Sequence, residues 1–127
     1  LIGAHEFPPL SRSIHGIKNA NTFFYGLYEG DRLAGVIEVA IRGEHLEIDS
    51  LTVDPTYFKK GIGSQLINYV LTQFEYTTAI VETAVVNEPA INLYKKHGFV
   101  VFKQWTPSHG IPKVAMSIQR PIMHLSY

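Results

Sequence analysis

The sequence predicts an α+β domain: a mixed, mostly antiparallel, twisted sheet with one parallel, splayed strand pair and flanking helices. Three observations carry that prediction. Strand-patterned segments follow one another from Thr22 to Val53 with only tight turns between them, which makes an antiparallel meander. An amphipathic helix over 60–75 then separates the third of these strands from an apolar strand at 78–85, and a crossover of that length joins parallel neighbours. A phase slip inside the third strand marks a bulge, which bends that strand away from its parallel partner.

Each element has its own local reason. Residues 1–21 are weakly patterned: Pro8-Pro9 forbids regular structure locally, and Ser11 is placed to cap a short helix running to about Lys18. Thr22–Tyr28 (TFFYGLY) is an aromatic-rich strand, closed by the turn Glu29-Gly30-Asp31. Leu33–Ile41 (LAGVIEVAI) is apolar almost throughout, as in a strand buried on both faces. In the third strand Leu46 and Ile48 point one way and Glu47 and Asp49 the other. Strict alternation would then place Ser50 and Thr52 on the core face and expel Leu51 and Val53, so one residue near Asp49-Ser50 must be extra. Backbone amides and carbonyls beyond such a bulge are left free for a ligand.

Helix 60–75 shows Ile62, Leu66, Val70 and Phe74 at four-residue spacing, with Ile67 and Leu71 widening the stripe. Thr78–Val85 is a β-branched strand, and Asn87 caps a helix with Pro89 in its permissive first turn. That helix ends at Gly98, strands follow at Phe99–Trp105 and Lys113–Gln119, and the loop TPSHGIP lies between them. Nothing in the chain marks a repeat or a second domain, so residues 1–127 read as one domain.

Composition narrows the function. Apolar content of 46% and charged content of 17% are those of an ordinary globular chain. Eleven charges of each sign cancel, so no global field recruits nucleic acid or an anionic membrane, and neither partner is expected. An anion bound here is held by local geometry. The absence of cysteine excludes disulfides, thiolate metal sites and a cysteine nucleophile. The six histidines (His5, His15, His45, His97, His109, His124) show no ligand spacing, so no metal is expected. With no signal-like leader and no apolar run of transmembrane length, the cytoplasm is the expected compartment.

Two stretches carry chemistry. Asp54-Pro55 turns the chain out of the third strand, and Gly61-Ile62-Gly63-Ser64 places two residues without side chains where helix amides lack partners. Lys59 and Lys60 add local positive charge, so the helix start suits phosphate. A lone Gly-x-Gly is more often a flexible turn. The spacing matches neither a Walker A loop nor a Rossmann fingerprint, whose third glycine would stand where Leu66 does. The second stretch, Asn87 to Phe99, puts Ala90, Leu93, Tyr94 and His97 on one helix face; taken singly, Asn87 is explained as a cap and Tyr94 as packing.

Together, IDSLTVDPTYFKKGIGSQLI and NEPAINLYKKHGF resemble the two cofactor-binding motifs of the GNAT superfamily of acetyl-CoA-dependent N-acetyltransferases, and the resemblance extends from Thr22 to about Gln119. It implies acetyl-CoA as cosubstrate, an amine acceptor (a small molecule or a protein amine) and direct transfer without a covalent intermediate. By the same resemblance, the backbone of Leu51 to Val53 pairs with the pantetheine arm, and the amides from Lys60 through Gly61, Ile62 and Gly63 to Ser64 hold the pyrophosphate. Asn87 and Asn92 resemble cofactor contacts. Tyr94 resembles the general acid that protonates the departing sulfur, and Glu82 and Glu47 are equal candidates for the base, with Asp49 third. Two departures accompany the likeness. Phe58 stands where the family's phosphate loop has Gln or Arg, and the family's first strand and most of its first helix are expected to be missing. The strand at Thr22 would then be an exposed sheet edge, as in a truncated chain, unless a second copy covered it in a homodimer. A non-catalytic acyl-CoA-binding module is the alternative from another functional class.

Overall fold

The computed structural model describes residues 12–120. Pro8-Pro9 and Ser11 lie outside the described residues. Within them run seven strands, β1 (Arg12–Asn19), β2 (Thr22–Glu29), β3 (Arg32–Arg42), β4 (His45–Val53), β5 (Thr78–Ala84), β6 (Val100–Trp105) and β7 (Lys113–Gln119), with helices α1 (Ile62–Gln73) after β4 and α2 (Glu88–Lys96) after β5. They form one sheet in the order β1-β2-β3-β4-β5-β7-β6. Neighbours are antiparallel except β4 and β5, which pair in parallel.

The expected helix up to Lys18 is instead β1. Its eight residues pair one for one with β2, from Arg12↔Glu29 to Asn19↔Thr22, around a two-residue turn at Ala20-Asn21. Ile14 and Ile17, three apart, fit a helix locally, but a full ladder on the aromatic strand outweighs that weak preference. The strand at Thr22 is therefore no sheet edge: the same chain covers it.

One face of the sheet carries the core. Leu27, Ile37, Val39, Leu46 and Ile48 form one buried cluster with Ile62, Leu66, Ile67 and Val70 of α1, with Val81, Met116 and Phe99, and with Tyr94 of α2. β3 departs from burial on both faces: Ala34, Gly35, Ile37, Val39 and Ala40 are buried, but Val36 and Ile41 are only half-buried. Both helices lie on this one face. Gly63 brings α1 against α2, because a Cβ there would stand 3.0 Å from Leu93 Cδ2.

Candidate active site

The site begins with the bulge. In the β3–β4 ladder Val39 pairs with Ile48 and Glu38 with Ser50, so Asp49 is the extra residue. The inferred phase slip is there: Leu46 and Ile48 are buried before it, and Leu51 and Val53 turn inward after it. The parallel ladder to β5 stops at the same point, with Ile48↔Val81 as its last pair. From Ser50 to Val53, β4 keeps its pairing to β3 and has no strand on its other side. A fork opens in the middle of the sheet.

Beyond the fork the chain is tied down before it enters the helix. The Asp54 amide donates to the Ala34 carbonyl at 2.8 Å, and the Asp54 carboxylate accepts from the Thr56 amide at 2.9 Å. That bond holds the Asp54 carboxyl below the usual carboxylate range. A short 3-10 turn, Pro55–Tyr57, leads to a loop in which Lys59 has φ 64° and Gly61 φ 79°, with Lys60 of negative φ between them. Alternating hand along successive residues turns their amides into one concavity suited to an anion. No side chain caps the start of α1, and its first turn carries no acidic residue. A Cβ at Gly61 would meet nothing within 4 Å, so the concavity opens outward at that residue. Lys60 Nζ lies 5.6 Å from the centre of the Tyr57 ring, and the Phe58 side chain is 58% exposed.

α2 supplies the second part. Asn87 caps it, accepting from the Ala90 amide at 3.4 Å, and its amide nitrogen donates to Thr83 Oγ1 at 3.4 Å. Both Asn87 and Asn92 are exposed. Tyr94 is 4% exposed and meets Phe99 edge-on at 5.5 Å between ring centres. Burial pushes its phenol up to about 12. His97 closes the helix, and its Nε2 lies 2.7 Å from Ser64 Oγ, tying the end of α2 to the start of α1. Desolvation, with a smaller contribution from Lys96, holds the His97 imidazole below its ordinary value. The Ser64 hydroxyl is thus engaged with His97.

The third part is a polar cleft of about 310 Å³ on the fork, lined by Arg42, Glu47, Ile48, Asp49, Ile80, Val81, Glu82 and Lys113. Glu47 and Glu82 alternate along their strands with the buried Leu46, Ile48 and Val81. They therefore project from the sheet face opposite the helices. Arg42 donates to Glu47 at 2.7 Å and approaches Asp49 at 3.4 Å, while Lys113 Nζ stands 3.9 Å from Glu82. The structure thus brings Glu47, Asp49 and Glu82 together but leaves Tyr94 outside the lining, on the helix side of the fork. His109 is exposed and does not line the cleft. Among the described residues no group of three or more His, Asp or Glu side chains is arranged to hold a metal ion.

Sequence reasoning passed over Arg42, Lys113 and Arg12, and it placed His97 on the face of Tyr94 without its contact to Ser64. Arg42 is the last residue of β3, and only the β3–β4 register sets it beside Glu47. Lys113 reaches Glu82 only because β7 pairs with β5, so no local spacing announces either contact.

A mixed sheet of seven strands with one parallel pair and two helices matches the fold of solved acetyltransferases. The structure superimposes on a GNAT family acetyltransferase from Elizabethkingia anophelis with acetyl-CoA bound (TM-score 0.74, 14% identity, 87% of this chain and 99% of that one). It likewise matches the ribosomal-protein-S18-alanine N-acetyltransferase from Escherichia coli (TM-score 0.71, 19% identity, 87% and 77%). In sequence it is 35% identical over 100 residues to the UPF0157 protein YqkA of Bacillus subtilis (strain 168), over 78% of this chain and 29% of that protein. The chain thus spans less than a third of that relative's length. Residues 3–99 match the acetyltransferase (GNAT) family, and the chain belongs to that family.

Proposed function

We propose that the chain is an N-acetyltransferase that moves an acetyl group from acetyl-CoA to a primary amine by direct attack. The observation that carries the proposal is the end of parallel pairing at Ile48↔Val81, immediately upstream of an open, uncapped helix start. The unpartnered side of Leu51 to Val53 pairs with the extended pantetheine arm, and the Val53 amide faces the thioester carbonyl, where it stabilises the developing oxyanion. The amides from Lys60 to Ser64 hold the pyrophosphate, Lys59 and Lys60 supply charge, and Asn87 and Asn92 border the arm on the side of α2. Gly61, open and without a side chain, fits a group of that size.

The amine nitrogen forms a bond to the thioester carbon, the carbon–sulfur bond breaks, and sulfur takes the proton of Tyr94. A phenol held near 12 keeps that proton at neutral pH until a thiolate forms. The acceptor loses its own proton to a cleft carboxylate. Glu82 suits that task best: its contact with Lys113 is long, at 3.9 Å, and its side chain is 53% exposed, whereas Glu47 already accepts from Arg42. Three carboxylates against two cations leave the cleft one negative charge, which attracts an ammonium. Neutralising a lysine-like amine at pH 7 costs about 4 to 5 kcal/mol and an α-amine about 1, so an acceptor with the lower pKa reacts more readily.

Calorimetry with acetyl-CoA, followed by thiol release against a panel of amines, tests the proposal. Saturable binding and turnover on at least one amine are expected. Binding without turnover on any amine would instead favour an acyl-CoA-binding module, and no binding would remove both readings.

A further inference from the structure

The phosphate loop is held from the far end of the chain. Arg12, at the start of β1, spreads its guanidinium across three elements. Nε pairs with Glu29 at the end of β2, Nη1 donates to Gln65 Oε1 on α1 at 2.5 Å, and Nη2 donates to the Lys60 carbonyl at 3.2 Å. A guanidinium is planar and its donors are fixed relative to one another. Anchored on Glu29, it therefore fixes the position of the Lys60 oxygen as well.

That oxygen belongs to the peptide whose N–H is carried by Gly61. In a trans peptide the carbonyl and the N–H point in opposite directions. Drawing the Lys60 oxygen toward Arg12 turns the Gly61 N–H away from β1, with the other uncapped amides at the start of α1. The left-handed residues on either side, Lys59 and Gly61, make this loop costly to hold in one shape without such a tie. Phe58 offers no polar group where the family's loop has Gln or Arg, and its ring is exposed.

We propose that Arg12 is a positioning residue for the phosphate cradle: it orients the Lys60–Gly61 peptide so that the Gly61 N–H faces the donor pyrophosphate. The inference rests on the acetyl-CoA reading given above. Arg12 does this in place of a loop side chain at position 58, from a strand that pairs with β2.

Steady-state kinetics with two donors test it, acetyl-CoA and S-acetylpantetheine, which carries the same thioester without the nucleotide phosphates. Arg12→Gln is expected to raise KM for acetyl-CoA about tenfold with kcat little changed, so that discrimination between the donors falls about tenfold. Arg12→Lys keeps the charge but loses the fork, and is expected to behave as Arg12→Gln does. Unchanged discrimination in Arg12→Gln, or equal losses with both donors, would overturn the inference. Wild-type KM in Arg12→Lys would also overturn it, by reducing Arg12 to bulk charge. Failure of the wild-type protein to bind acetyl-CoA is a separate result, and it would remove the parent proposal.

Discussion

The proposed donor cradle and the polar cleft lie along the same bulged strand, yet they are built from different material. The cradle is backbone: a strand edge freed at Asp49, two left-handed residues, and the uncapped amides of α1. The cleft is side chains from four strands, with Glu47, Asp49 and Glu82 set against Arg42 and Lys113. Backbone geometry tolerates changes of side chain so long as glycine stands where it must, whereas side-chain geometry changes with every substitution. The donor end of such a fold can therefore stay constant while the acceptor end varies.

Tyr94 lies buried on the helix side of the fork, outside the cleft lining, and its removal should have the largest effect. Tyr94→Phe is expected to lower kcat by about 10- to 10³-fold with little change in acetyl-CoA affinity, read from calorimetry and saturation kinetics together. An unchanged rate would take Tyr94 out of the chemistry and leave it as packing against Phe99. Its raised pKa has a consequence for stability. Above pH 10 the unfolded chain releases the phenolic proton while the folded one holds it up to about 12, so unfolding grows easier as pH rises through that window. The same substitution should flatten this alkaline loss, measured as the difference in denaturant midpoint between variant and wild type.

Within the cleft the two glutamates should part company. Glu82→Gln is expected to lower kcat by about 10²-fold, with the loss largest at low pH and acetyl-CoA binding intact. Glu47→Gln should cost less, since Glu47 already accepts from Arg42. The opposite ranking in a thiol-release pH profile would move the base to Glu47 and make Lys113 the guard of Glu82.

What could be read from the sequence follows the same division. The bulge was legible because Leu46, Ile48, Leu51 and Val53 break alternation within a few residues, and the helix start because glycine spacing is a local signal. Both helices were legible to within two residues at each end, as Ile62–Gln73 and Glu88–Lys96. β1 was not, because Arg12–Asn19 has a weak pattern of its own and becomes a strand by pairing with β2. The ion pairs of the cleft and the reach of Arg12 to Lys60 were equally hidden. They depend on which strands become neighbours, and one sequence read locally does not fix that.

Two glycines two positions apart give the finest test of the cradle. A Cβ at Gly61 meets open space, whereas one at Gly63 meets Leu93 at 3.0 Å, with Leu51 and Val53 just beyond. Gly61→Val should therefore weaken acetyl-CoA binding about tenfold by crowding the phosphates. It should also cost about 1 kcal/mol of stability, because φ at this residue is 79°. Gly63→Val should do the reverse, forcing α1 and α2 apart at a cost of about 1 to 3 kcal/mol. Its effect on affinity should follow from the displaced helix start alone. Denaturant midpoints and acetyl-CoA titrations on both variants separate the cases. Full affinity in Gly61→Val would place the pyrophosphate elsewhere on the chain. Full stability with lost binding in Gly63→Val would make that residue a point of phosphate approach and not the seam between the helices.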